Sequence, residues 1–194
     1  MKTEEKFIFV TSFIVMMVAL SLICMTFNAK AASSTVTIPS KPEDLQIDPS
    51  KTAVIVVDMQ NGFASKGGMI DVLGMDISGA KSVIENNKKL ITAARSAGIK
   101  IVYLRITNLP DLSDSGGPEG PAWHKAFSLV MMRKRPELKH KALIEGSWDA
   151  NIVDELKPQE GDISIRKARY GGFTGTNLDL ILKTRQIKYL VFTG

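Results

Sequence analysis

The chain has 194 residues, 44% of them hydrophobic and 23% charged, which suits one globular domain and is too short for two of ordinary size. Its formal net charge is +5, yet Lys and Arg are scattered among Asp and Glu with no basic block or stripe, which argues against a nucleic-acid partner. A single cysteine, Cys24, excludes a disulfide within the chain and a cluster of thiolate metal ligands.

Residues 7–27 carry no charge and follow a short MKTEEK start, and Ala29, Lys30 and Ala31 form a small-x-small cleavage pattern. Residues 1–31 therefore read as a secretory signal peptide or, because an uncharged run of this length also spans a bilayer, as a signal anchor. The expected location is exported, periplasmic or extracellular, or membrane-anchored by residues 7–27, with the cytoplasm as the alternative. No other membrane contact is expected. Cys24 sits in this run as an apolar filler. Residues 32–50 are rich in Ser, Thr and Pro, lack helical periodicity and read as an extended leader, so the domain is expected to occupy residues 51–194.

From residue 51 onward, continuous apolar runs alternate with amphipathic stretches, the pattern of β-α-β units whose strands are buried on both faces. That pattern predicts an α/β fold with a parallel sheet. Residues 52–57 (TAVIVV) are β-branched and predict a central strand that ends at Asp58. Val83, Ile84, Leu90, Ile91 and Ala94 recur at helical spacing within residues 78–97, and Gly98 falls where a helix C-cap glycine belongs. Residues 99–106 predict a second strand, followed by a Gly-, Pro- and Asp-rich loop over 108–121. Residues 123–133 give an ambiguous, short helical signal, and 147–156 predict a helix with Ser147 as its N-cap. Strands are then expected at 163–166 and 188–192, with a helix at 176–184 between them.

Ligands of open parallel sheets bind outside the carboxyl ends of the strands, so polar residues just after the apolar runs are the first candidates for chemistry. Asp58 can serve as a general base there, or simply cap the next turn. Lys167 can hold a carboxylate partner ionised or favour a developing thiolate, or it can be a solvated lysine beside Arg166 and Arg169. The run KYLVFTG delivers a small residue to the same edge, where a nucleophile could follow.

The segments VVDMQNGF, KARYGGFTGTNLD and YLVFTG, in this order, resemble the signature segments of isochorismatase-like cysteine hydrolases, and the likeness runs from about Ala53 to Gly194. The resemblance implies a three-layer, doubly wound parallel sheet, incomplete at the C-terminus. Asp58 matches the family's general base and Lys167 its lysine, while the nucleophilic cysteine is expected after Gly194. The implied activity is cleavage of a C–N bond in a small amide or ureido acid, with the strongest likeness to the ureidoacrylate-cleaving branch. The implied scheme is acyl transfer through a thiolate, and no cofactor is expected. Gln60, Phe63, Asn108, Arg169, Tyr170 and Phe173 are the candidate substrate contacts. At Asn108 the sequence departs from the branch, which expects other polar and aromatic contacts there. A metal site is not expected, since LRITNLPD lacks the Asp-x-His pair of metal-dependent relatives. The full-length protein is expected to be a homo-oligomer. Two alternatives stand beside this reading: an exported, non-catalytic small-molecule binding protein on the same fold, and a vinyl ether hydrolase of the isochorismatase type, which would carry glycine in place of cysteine.

Overall fold

The structure, a computed structural model, describes residues 35–194. The signal or anchor reading of residues 1–31, and Cys24 with it, lies outside the described residues. Among the described residues no helix is long and apolar enough to cross a membrane.

The expected leader is more than a linker. Val36–Ile38 (β1) and Leu45–Ile47 (β2) pair as an antiparallel hairpin, and Ile47 and Asp48 are buried. Asp48 then caps a single 3-10 turn by accepting from Ser50 N at 2.9 Å, and its carbonyl accepts from the Thr52 hydroxyl at 2.6 Å. These bonds feed the chain directly into the first strand of the main sheet.

That strand, β3 (Thr52–Val57), has the boundaries its apolar run predicts. Two short helices follow, α1 (Asn61–Ala64) and α2 (Met69–Val72), then the long α3 (Ala80–Ser96) and β4 (Lys100–Ile106). The ambiguous stretch becomes two helices, α4 (Pro121–Lys125) and α5 (Phe127–Lys134), separated by Ala126 in an extended conformation. β5 (Ile163–Lys167), α6 (Leu178–Thr184) and β6 (Tyr189–Thr193) complete the described chain. The sheet is parallel throughout, in the order β5-β4-β3-β6.

Alternation along the strands divides the core. Val54, Val56, Ile101 and Tyr103 face Ile84, Ile91 and Ala94 of α3. Ala53, Ile55, Val102 and Leu104 face Leu178 and Leu182 of α6 on the other side. The result is the three-layer arrangement of a doubly wound fold. α3 ends as its sequence predicts: Gly98 takes φ +73°, Gly98 N donates to Arg95 O and Ile99 N to Ala94 O, the paired bonds of a Schellman motif.

The helix expected at 147–156 does not form; turns and a 3-10 segment (Asp154–Leu156) take its place. The carbonyls that would close its first turns are engaged elsewhere. Trp148 O accepts from Asn61 Nδ2, Asp149 O from Gly62 N, Ala150 O from Gln60 Nε2 and Asn151 O from Asn61 N. The segment is thus pinned to the chain that follows β3, and long-range bonds override a local helical preference.

Candidate active site

β3 and β5 deliver the two charged candidates to one edge of the sheet. Lys167, the last residue of β5, is 1% exposed, and its Nζ donates to Asp58 Oδ2 at 2.8 Å. Asp58 follows β3 directly and its side chain is 26% exposed, so the pair is closed on the lysine side and open on the carboxylate side. An ammonium this deeply enclosed requires a counter-charge, because desolvating it alone costs several kcal/mol, of order 3–5. The carboxylate meets that requirement.

Asp58 is held from three directions. Its own N–H donates to Leu104 O, its Oδ1 accepts from Ile106 N at 3.0 Å, and its backbone lies in the left-handed region at φ +53°. Few residues other than glycine adopt that conformation, though aspartate tolerates it better than most. The left-handed turn ends the strand and brings the carboxylate over the neighbouring chain end instead of continuing the β alternation.

Gln60 and Asn108, both expected substrate contacts, are tied into the framework of the rim. Gln60 is fully buried; its Nε2 donates to Ile106 O at 3.1 Å and Ala150 O at 2.8 Å, and its Oε1 accepts from Ile106 N at 2.9 Å. Both ends of the amide are engaged by main-chain groups, and Nε2 has no N–H to spare. Asn108 is likewise buried, with its Nδ2 donating to Ser128 Oγ and its main chain bonded to Leu143 and Glu145. The neighbouring Asn61 bonds to Trp148 O and accepts from Ser65 Oγ. These amides fasten the rim on which the ion pair stands.

Of the remaining candidates, Phe63, Arg169 and Tyr170 line two cavities beside that rim. Phe63 lines a cavity of about 440 Å³ together with Asp58, Ile70, Val83 and Gly194. Arg169 and Tyr170 line a second, of about 370 Å³, with Ile106, Lys125 and Ala168. Tyr170 is exposed, and its hydroxyl accepts from Phe127 N at 3.1 Å. Phe173 is also exposed. The glycine turn between them packs closely: a Cβ on Gly172 would stand 2.4 Å from Cδ1 of the buried Leu104, which would have to shift. Thr176 caps the start of α6 by accepting from Leu178 N at 3.1 Å.

Three features of the site have no local signal in the sequence. Arg166, expected only as a surface neighbour of Lys167, pairs with Asp114 in the 108–121 loop, and its Nε lies 3.1 Å from Glu145 Oε2 without an aligned hydrogen bond, so that contact is coulombic. Burial, then the nearby Arg105 and Arg169 guanidiniums, lower its pKa. The Asp149 carboxylate accepts from Met69 N and Leu143 N at 3.0 and 2.9 Å, and burial pushes its pKa up against those bonds. Thr107, fully buried beside Ile106, has a hydroxyl without a hydrogen-bond partner among the described residues. No group of three or more His, Cys, Asp and Glu side chains suited to a metal occurs among the described residues.

Residues 52–194 match the family model described as the isochorismatase domain. Ureidoacrylate amidohydrolase RutB from Agrobacterium fabrum is 51% identical over 158 residues, a match covering 81% of this chain and 69% of that protein. A cysteine hydrolase from Pseudomonas syringae superposes with a TM-score of 0.59 at 29% identity, covering 75% of this chain and 60% of the other. N-carbamoylsarcosine amidase from Thermoplasma acidophilum superposes with a TM-score of 0.50 at 26% identity, covering 73% and 66%. The chain thus spans roughly two thirds of the length of the proteins it resembles.

Proposed function

The chain belongs to the isochorismatase family, and from that membership we propose that it is a cysteine hydrolase cleaving the C–N bond of a small amide or ureido acid, ureidoacrylate or a close analogue. The observation that carries the proposal is the Lys167–Asp58 pair, an enclosed ammonium holding a half-open carboxylate at the carboxyl edge of the sheet. The names of the similar proteins, an amidohydrolase of a ureido acid and an amidase of an N-carbamoyl amino acid, favour this substrate class.

In the proposed scheme the nucleophile is a thiol supplied by residues beyond Gly194, which itself lines the cavity that Asp58 opens into. Asp58 accepts the thiol proton, and Lys167, with its Nζ 2.8 Å from Oδ2, holds the carboxylate in position for it. The sulfur attacks the carbonyl carbon, the C–N bond breaks, and the nitrogen leaves with the proton that Asp58 returns to it. Water then cleaves the resulting thioester or thiocarbamate, and the thiol is regenerated. Main-chain N–H groups near the thiol would stabilise the oxyanion. The uncharged run over residues 7–27 supports placing this chemistry outside the cytoplasm, in an exported or anchored enzyme.

The test is hydrolysis by the full-length protein of 3-ureidoacrylate, 3-ureidopropionate and a series of simple amides, read as ammonia release, before and after treatment with iodoacetamide. Turnover that the alkylating reagent abolishes is expected. Turnover of none of these compounds, or turnover untouched by alkylation, would overturn the proposal.

A further inference from the structure

We infer that the cavity between α4 and the 168–170 segment is a carboxylate-binding subsite, with Arg169 and Lys125 reading the acid group of the substrate. This rests on the reading of the site as a hydrolase of small amide or ureido acids and adds to it the residues that select an acid. The cavity, about 370 Å³, adjoins the ion pair through two of its lining residues: Ala168 follows Lys167 in the chain, and Ile106 gives its N–H to Asp58.

Its walls are apolar, formed by Ile106, Pro121, Ala122 and Ala126, and its two cations lack carboxylate partners among the described residues. Arg169 donates only to main-chain carbonyls, Ala168 O at 2.7 Å and Asp114 O at 3.0 Å, which orients the guanidinium without neutralising it. The carboxylate of Asp114, whose carbonyl Arg169 holds, is taken by Arg166. Lys125 forms no ion pair among the described residues, and its carbonyl accepts from the Tyr170 hydroxyl at 3.4 Å, which ties α4 to the arginine's segment. Two cations without carboxylate partners among the described residues, lining a largely apolar cavity, fit a monocarboxylate with a chain of a few carbons. A guanidinium with N–H groups to spare binds such a group through paired, charge-assisted hydrogen bonds.

The experiment is calorimetric titration of the full-length protein with 3-ureidopropionate and with its uncharged methyl ester, repeated on R169Q, on K125Q and on the double variant, with thermal melts as a check of folding. The wild type is expected to bind the acid about ten-fold or more tightly than the ester, as charge-assisted hydrogen bonds require, and the double variant to bind the two alike. A purely structural role of Arg169 in holding the loop at Asp114 would weaken both ligands together and leave the ratio unchanged. Equal binding of acid and ester by the wild type, or an unchanged preference in the double variant, overturns the subsite. If hydrolysis of ureido acids is nonetheless observed, only the subsite fails. If acid preference depends on these residues but no compound is hydrolysed, the subsite stands and the hydrolase reading fails.

Discussion

Lys167 and Asp58, 109 residues apart in the chain, meet with Nζ and Oδ2 2.8 Å apart, the lysine 1% exposed and the aspartate 26%. That inequality makes the two halves of the pair energetically different. Asp58→Asn leaves an ammonium enclosed without a counter-charge and is expected to cost about 3 kcal/mol, whereas Lys167→Met leaves a carboxylate with access to water and should cost about 1 kcal/mol. Urea unfolding of both variants checks this order. Equal losses would mean that the lysine is not the desolvated partner.

Gln60 offers a test of the distinction between holding the rim and touching a ligand. Its amide satisfies Ile106 and Ala150 main-chain groups from a fully buried position, so Gln60→Met orphans buried carbonyls and is expected to destabilise the fold by about 2–3 kcal/mol. Chemical denaturation measures the loss. A variant as stable as the wild type would restore Gln60 as a candidate ligand contact.

At the end of α6 the chain forms the same paired C-terminal bonds as at the end of α3, with Gln186 N donating to Lys183 O and Ile187 N to Leu182 O. Here, however, the left-handed position at φ +55° is held by Gln186 and not by glycine. Gln186→Gly should therefore stabilise the protein by about 0.5–1 kcal/mol, while Gly98→Ala at the matching position of α3 should destabilise it. The two thermal melts should move in opposite directions.

Asp149 makes stability depend on pH in a defined sense. Burial raises its folded-state pKa above the ordinary 3.8, so the folded state holds the proton more tightly than the unfolded state does. Its contribution is then fully present below the unfolded value and is lost as the pH rises through the raised folded value. The neutral amide introduced by Asp149→Asn does not titrate, so the stability advantage of the wild type over that variant should be largest at the acid end and shrink as pH rises. Denaturant midpoints of the two proteins from about pH 3.5 to 6.5 measure this, and a growing advantage would contradict it.

Much of the sheet is legible in the sequence because its strands are buried on both faces. The TAVIVV run admits no exposed side, and β3 begins and ends with it. The strand-end rule also singles out Asp58 and Lys167, since each follows or closes an apolar run at the same edge. What is not legible depends on distant partners. The 147–156 segment has helical composition, but residues 60–62 take its carbonyls, and nothing within the segment announces that. The bonds of Gln60 and Asn108 are hidden for the same reason: a polar residue after a strand signals either a site or the bonds that hold one, and the partners here, Ala150, Ile106 and Ser128, are fixed by the fold. The Asp114–Arg166 pair joins a loop to a strand across 52 residues and has no sequence periodicity to reveal it.

The central claim, that the enclosed ammonium and the half-open carboxylate together activate a thiol, is tested most directly by the rate of ammonia release from 3-ureidoacrylate by the full-length wild type, Asp58→Asn and Lys167→Met, each assayed where its melt shows it folded. Removal of the proton acceptor or of its charge partner should lower the rate about 10²- to 10⁴-fold. A folded Asp58→Asn or Lys167→Met protein that turns over at the wild-type rate would contradict it.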